Sequence, residues 1–393
     1  MEALSAAVER SDGDPVRCLW QEFAVPYRFP VYFTRNSFSP ENAALAEAAG
    51  SAEGPTAVFP IVDAGVAAVW PDLGERIGMY ARSHPHALAL AAGLHIFPGG
   101  ERCKDGEAQV GQLHRLFLKH GLCRHSVVLA IGGGAFLDVA GYAASTAHRG
   151  IRLVRMPTTT LSQNDAGVGV KNGYNAFGRK NWVGSFSPPF AVVNDFDFLR
   201  TLAPRQRRAG IAEAIKVAVI KDTGFFRFLS AERNALARFS SPQAEEMIVR
   251  CARLHMDHIA AGDPFETGCA RPLDFGHWAA HALEETSGDI LHGEGVAIGI
   301  ALDTRYAWET GLVSEAEGEA ILHLLQDIGF QLSYPALAQI DLCRSLDSFR
   351  QHLGGRLTIT LPNGIGSSID VNSMDLPLLH RCREWLMSLP AAE

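Results

Sequence analysis

Val127-Val128-Leu129-Ala130-Ile131-Gly132-Gly133-Gly134-Ala135-Phe136-Leu137-Asp138 runs from five apolar residues straight into three glycines and then into a helix-compatible stretch. A short continuous apolar run that ends at glycine reads as a strand buried on both faces, the kind found in parallel sheets. The glycines would let the backbone, and the N-terminus of the following helix, come up against a pyrophosphate. The order is not G-x-G-x-x-G, so the same residues also fit a plain tight strand-to-helix connection.

Working outward, strand patterns are expected at 31–34, 57–62, 94–97, 127–131, 153–156 and 191–193, and helices at 40–49, 66–83, 107–120 and 136–146. That alternation requires crossover connections and a parallel α/β sheet. After Asp195 the pattern changes to successive helices at 204–221, 223–239, 242–259, 272–286, 295–310 and 315–328, with few strand signals between them. At 393 residues the chain exceeds what one core usually serves. The expectation is therefore an extension over 1–19, a nucleotide-binding α/β domain over 20–195, and a mostly α-helical domain over 196–393 that carries metal and substrate. The cleft between them is the default substrate position.

A formal charge of −8 argues against a general nucleic-acid or anionic-membrane surface, each of which needs a basic face. The seven cysteines contain no C-x-x-C pair, which predicts free thiols in a reducing compartment. The first twenty residues carry Glu2, Glu9, Arg10, Asp12 and Asp14 and no apolar core, so neither a signal peptide nor a membrane span is expected and the protein reads as cytoplasmic.

Three imidazoles lie in Asp274-Phe275-Gly276-His277-Trp278-Ala279-Ala280-His281 and Leu291-His292-Gly293-Glu294. His277 and His281, four apart, would share one helix face, and His292 could return to the cluster from the next segment. Glu213, set in the apolar run 211–220, would complete the carboxylate and two imidazoles of a catalytic zinc site with an open position. Spacing does not say which two histidines bind, and a His pair at helical spacing also fits a packed or surface pair. Pro98-Gly99-Gly100-Glu101-Arg102-Cys103-Lys104 offers a second glycine turn, and its alternative is an ordinary charged loop. Thr158, Thr159 and Thr160 follow a strand and could cap a helix or bind a cofactor. Gly167, Gly169, Lys171, Gly173, Asn175, Gly178, Lys180 and Asn181 read as an irregular loop suited to phosphate or hydroxyl recognition, or as a flexible solvated one.

Taken together, GGGAFLDVAGY at 132–142, HRG at 148–150, MPTTTLSQNDAGVGVKNGYN at 156–175, GRKNWVGSF at 178–186, AGIAEAIK at 209–216, DFGHWAAH at 274–281 and LHGEGVAIG at 291–299 resemble dehydroquinate synthase and its relatives, the sugar phosphate cyclases. The resemblance spans about residues 95–365, and the stretch 21–30 is most similar to the EboD-type homologues. It implies an N-terminal NAD-binding α/β domain, a helical C-terminal domain, and one zinc, or sometimes cobalt, held by Glu213, His277 and His292. His281 then falls to the substrate's phosphate. NAD would contact Glu101, Lys104, Gly133, Gly134, Asp138, Thr158, Thr159, Lys171, Lys180 and the segment 198–201 with Thr201. Asp165, Lys171, Asn181, Lys216 and Arg149 match active-site positions, the last reaching across a homodimer. The implied reaction of this lyase type has no net redox change. A transient oxidation acidifies a C–H, phosphate leaves by β-elimination, the hydride returns, and ring opening with aldol closure gives a carbocycle.

The chain departs from the parent enzyme where the substrate carboxylate would bind. A lysine before the metal motif is replaced by Met256, and an arginine seven residues before the first metal histidine by Ala270, with Arg271 one place later. The parent's asparagine is Asp274, as in relatives that cyclise sedoheptulose 7-phosphate, and a second carboxylate there would repel an acidic substrate. Arg350 or Gln351 stands where the parent's C-terminal loop has lysine, while His281 is retained. The leading expectation is a zinc- and NAD-dependent cyclase of a sedoheptulose 7-phosphate-like sugar phosphate. The alternatives are dehydroquinate synthase itself and, in another class, a glycerol-dehydrogenase-like oxidoreductase.

Overall fold

The computed structural model describes residues 18–268 and 272–390, so all but the last two residues of the expected extension lie outside it, as do Ala270 and Arg271. The sheet is built from β1 (Val31–Thr34), β2 (Thr56–Asp63), β3 (Leu88–Leu90), β4 (His95–Phe97), β5 (Val127–Gly132) and β6 (Arg152–Pro157). An antiparallel hairpin of β7 (Lys171–Ala176) and β8 (Arg179–Phe186) intervenes before the last sheet strand, β9 (Ala191–Asp195). The seven strands lie in the order β1-β9-β6-β5-β2-β3, with β4 also on β2, and every pairing is parallel.

The deciding stretch behaves as its composition requires. All six residues of β5 are buried. Val127, Leu129 and Ile131 pack into the apolar cluster on one face of the sheet, and Val128 and Ala130 into the cluster on the other. From β2 the chain adds β3 and β4 on one side and then returns to lay β5 on the other, so strand order reverses between β2 and β5. That switch point opens a crevice at their carboxyl ends, where Asp63 and the glycine turn sit.

Beyond β9 the chain is mostly helical, as expected. It forms helices at Pro204–Ala209, Ile211–Lys221, Thr223–Ala231, Arg233–Ala237, Gln243–Ala260, His277–Thr286, His292–Glu309, Glu315–Ile328, Leu342–His352 and Leu376–Met387, around a single large apolar cluster. A short hairpin of β10 (Ile359–Pro362) and β11 (Ser368–Val371) interrupts them.

Several expectations are corrected. The helix expected over 66–83 breaks into Ala64–Val69 and Leu73–Ser83, because Pro71 disfavours helical geometry at Trp70. The helix expected from 272 starts at His277, after Gly276 at φ 78. The next starts at His292, not Gly295, because the Glu294 carboxylate accepts the Leu291 N–H at 2.9 Å and caps it. The largest correction concerns the glycine-rich loop at 167–181, most of which is the β7–β8 hairpin. Phe177 and Gly178 have φ of 54 and 72, as a two-residue hairpin turn with two left-handed centres requires. Gly173 and Gly184 face each other across the strands so closely that a Cβ on either would crowd the opposite backbone.

No described helix is long and apolar enough to cross a membrane. The six described cysteines are free. Their reactivity should differ sharply: the Ser126 hydroxyl and the His125 backbone lower the exposed Cys123 thiol, whereas burial pushes Cys103 up to about 12 and Cys382 to about 11. Iodoacetamide at pH 8 is therefore expected to label Cys123 well before Cys103 or Cys382, as read by peptide mass spectrometry.

Candidate metal and cofactor centre

The Ile211–Lys221 helix is buried along ten of its eleven residues, and two of those ten are charged. Glu213 and Lys216, i and i+3 on one face, pair through Glu213 Oε2 and Lys216 Nζ. Lys216 is held above the ordinary lysine value: burial alone would lower it, but Glu213, Asp165 and Asp274 outweigh that. Apart from this ion pair the Glu213 carboxylate, fully buried, receives no hydrogen bond.

Two imidazoles face it. His277 Nε2 lies 3.7 Å and His292 Nε2 3.8 Å from Glu213 Oε1. The other nitrogen of each ring is engaged, His277 Nδ1 with the Phe275 carbonyl at 3.3 Å and His292 Nδ1 with Glu284 Oε1 at 3.3 Å. Those acceptors assign the proton to Nδ1 in both rings, which leaves Nε2 as a lone pair. Burial first, then Lys216 and the neighbouring imidazoles, holds His277 well below the usual imidazole range, so it is neutral. His292 is raised: burial works against this, and Glu284 and Glu213 overcome it. With His292 in its neutral form, three lone pairs converge on one point, with ligand atoms within 4.8 Å of one another. Such a group is repulsive by itself and fits a divalent cation, and its N, N, O chemistry is that of catalytic zinc. His281, on the same helix, has its ring centroid 5.7 Å from His277 and 6.3 Å from His292 and stands outside the converging set.

The fold leaves little freedom here. A Cβ on Gly293 would overlap the Ala209 carbonyl, and one on Gly299 would overlap that of Gly276. Gly293→Ala is expected to push the His292 helix away from Ala209 and cost about 1–3 kcal/mol in urea unfolding, with weakened metal binding.

On the sheet side, Gly133 precedes the Gly134–Thr146 helix, and Asp138 on that helix takes the Lys104 ammonium at 2.7 Å. Glu101 lies 3.8 Å from Lys180, which also lies 3.3 Å from Glu284. Thr158 donates its N–H to the Gly132 carbonyl at 3.0 Å, and Thr159 shares a hydroxyl contact with Ser162 at 2.7 Å. The Thr201 hydroxyl accepts from Trp70 Nε1 at 3.3 Å. Lys171, at the start of β7, pairs with Glu266 at 2.5 Å, and Asn181 is an exposed residue at φ 51 whose N–H donates to Asn175 Oδ1 at 2.9 Å. Asp274 ends a short 3-10 turn just before His277.

Asp165 sits in a π-helical turn, Ser162–Ala166, a geometry common at functional sites. Its Oδ1 lies 3.1 Å from Nε2 of His255, a buried residue of the Gln243–Ala260 helix. Sequence reasoning missed His255 and looked instead to Met256, which packs against an apolar group of Val168, Val192 and Ala252. It also missed Glu284, although Glu284 follows His277 and His281 at i+7 and i+3, so helical spacing could have found it. Arg350 pairs with Asp347 at 3.2 Å on its own helix.

The structure does not bring Arg149 to this cluster. It lies before the amino end of β6, while Thr158 follows the carboxyl end, and six strand residues between them span about 17–20 Å. A cavity of about 550 Å³ lined by Arg28, Arg124, Arg152 and Phe190 opens at that far end, away from the converging donors.

A parallel sheet with a glycine turn at its switch point, joined to helices that converge a carboxylate and two imidazoles, defines a dinucleotide- and metal-site architecture. The family descriptions "3-dehydroquinate synthase N-terminal" and "3-dehydroquinate synthase C-terminal" match residues 94–209 and 210–351. The chain belongs to the dehydroquinate synthase family of sugar phosphate cyclases. It is 35% identical over 353 residues to 2-epi-5-epi-valiolone synthase of Streptomyces glaucescens, covering 88% of each chain. It is also 35% identical over 272 residues to 3-dehydroquinate synthase of Desulforamulus reducens, covering 68% of this chain and 75% of that one. The structure of the 2-epi-5-epi-valiolone synthase ValA of Streptomyces hygroscopicus, with NAD+ and Zn2+ bound, superposes with a TM-score of 0.83 at 28% identity, covering 93% and 99% of the two chains. A 2-deoxy-scyllo-inosose synthase complexed with carbaglucose-6-phosphate, NAD+ and Co2+ gives 0.75 at 25% identity, covering 91% and 96%.

Proposed function

We propose that this chain is an NAD- and zinc-dependent sugar phosphate cyclase, a phosphate-eliminating lyase that takes a sedoheptulose 7-phosphate-like substrate and releases inorganic phosphate and a cyclitol. The observation that carries this reading is the convergence of Glu213, His277 and His292 lone pairs on one point beside Lys216. When bound there, the metal supplies a Lewis acid and NAD+ a reversible hydride acceptor.

The chain's own residues do the rest. The buried Lys216 ammonium orients a substrate oxygen. Asp165, exposed on one side to the cleft and backed by His255 on the other, accepts a hydrogen bond from a substrate hydroxyl. Lys171 and Asn181 on the hairpin, with His281 opposite, hold the leaving phosphate, whose own oxygen takes the C–H proton. Arg149 reaches this site only from a second copy, so the proposal includes a homodimer.

For the substrate, two features favour a neutral end over a carboxylate. Asp274 adds negative charge beside Lys216, and Met256, an uncharged side chain packed against Val168, Val192 and Ala252, stands where the parent has a lysine. The similarity to 3-dehydroquinate synthases keeps the seven-carbon 2-keto acid phosphate as the second reading.

Purified protein with zinc and NAD+ is offered each substrate in turn and phosphate release is measured. Release from sedoheptulose 7-phosphate supports the proposal. Turnover of the keto acid alone overturns the substrate, and steady accumulation of NADH with a simple polyol overturns the cyclase reading altogether.

A further inference from the structure

One carboxylate oxygen touches both halves of the centre. Glu284 Oε1 lies 3.3 Å from Nδ1 of His292 and 3.3 Å from Nζ of Lys180. The Glu284 side chain is 11% exposed and sits on the His277–Thr286 helix, whereas Lys180 comes from the exposed strand β8. Lys180 has a second anion within reach, Glu101 at 3.8 Å, and Glu101 opens the turn whose Lys104 pairs with Asp138 on the glycine-turn helix. A line of charge contacts therefore runs from the cofactor side through Lys180 and Glu284 to a metal-facing histidine.

We infer that Glu284 couples the two cofactor sites, so that a pyrophosphate bound at the glycine turn tightens divalent-metal binding at Glu213, His277 and His292, and metal tightens pyrophosphate binding in return. The inference rests on the metal and dinucleotide assignments of the proposed function and goes beyond them. While Lys180 is held by Glu284, the ammonium and the imidazole compete for one oxygen. A pyrophosphate carries more charge than either carboxylate and draws Lys180 away. Glu284 Oε1 then has a single donor, His292 Nδ1–H, and the stronger hydrogen bond makes Nε2 a better ligand. Linkage requires the reverse as well: metal on Nε2 makes Nδ1–H a stronger donor, draws Glu284 toward the ring and frees Lys180 for the phosphates. The nicotinamide cation of NAD+ would oppose a nearby metal, so ADP-ribose, which carries the pyrophosphate without that charge, isolates the effect.

The test is titration of the metal-free protein with Zn2+ against a chromogenic chelator, with and without saturating ADP-ribose. In the unmodified chain ADP-ribose should lower the metal Kd by about 5–20-fold. Glu284→Gln should bind metal about 10–100-fold more weakly and show no response to ADP-ribose. Lys180→Met, on an exposed hairpin and not at risk of failing to fold, should already show the tightened Kd without ADP-ribose and gain nothing from it. Both ligands binding with no mutual effect overturns the inference and leaves the proposed function standing, as does an undiminished ADP-ribose effect in Lys180→Met or in folded Glu284→Gln. Failure of either ligand to bind the unmodified chain overturns the cofactor assignment and this coupling with it.

Discussion

Glu213→Gln is expected to abolish stoichiometric metal binding. Even partners that only hydrogen-bond a metal ligand are worth about 10–100-fold in metal affinity, so losing the anionic ligand itself should cost more than about 100-fold. Metal content after dialysis, measured by atomic emission, should fall to a small fraction of that in the unmodified chain. Phosphate release from the sugar phosphate should fall at least about 10³-fold, at or beyond the range seen when one charge-stabilising group is removed from an active site. The substitution has a second effect, because Glu213 is also the partner of the buried Lys216 ammonium. Leaving a buried charge without its partner costs about 3–5 kcal/mol, so stability must be followed in parallel by urea unfolding. Pairing it with Lys216→Met separates the two effects: the double variant should recover most of the stability and none of the metal. Retention of metal by either variant would refute the ligand assignment.

Arg155→Met should produce the largest effect away from the converging donors. The guanidinium is fully buried on β6 and has no ion-pair partner among the described residues. It donates instead to the carbonyls of Gly167 at 3.2 Å, Gly169 at 2.7 Å and Lys171 at 3.2 Å, and to Asn172 Oδ1 at 2.6 Å. Burial lowers it to about 10, which still leaves it charged at pH 7. These four acceptors lie along the segment that leads from the π-helical turn into β7, so one side chain fixes where the hairpin leaves the sheet. Methionine fills comparable space and leaves the acceptors unmet. Bonds to a charged donor contribute about 1.5–3 kcal/mol each and are not additive, so a loss of about 3–5 kcal/mol in urea unfolding is expected. Trypsin should then cleave after Lys171, Arg179 or Lys180 faster than in the unmodified chain. Unchanged stability and proteolysis would mean that the hairpin holds its place without Arg155.

Much of the architecture was legible because it follows from periodicity. β5 is apolar on both faces and bounded by glycine, so its place in the middle of a parallel sheet needed no tertiary information. The β7–β8 hairpin was not legible, because its glycines are there for a reason local propensity cannot see. Gly173 and Gly184 must be bare since each backbone approaches the other, and a composition that argues against regular structure was in fact the condition for it. At the centre, the spacing of His277 and His281 suggested a pair, yet the ring that meets His277 at Glu213 comes from the next helix; the residue pattern had it only as one of three candidates, and the motif resemblance selected it. His255 could not be found by pattern. It lies on the buried face of an amphipathic helix with Cys251 and Ala252, where an imidazole looks like an ordinary core residue until Asp165 is placed opposite it.

The close approach of Gly293 to Ala209, and of Gly299 to Gly276, sets a limit on how this scaffold can be re-engineered. A saturation library across the centre should return glycine almost alone at 293 and 299, since any side chain there moves the histidine that the backbone carries. Diversity for a new substrate has to enter where the wall is side chain and not main chain, at Asp274 and the outward-facing residues of the hairpin. Selection for altered specificity would then accumulate changes at those positions while the metal-bearing turns stay fixed.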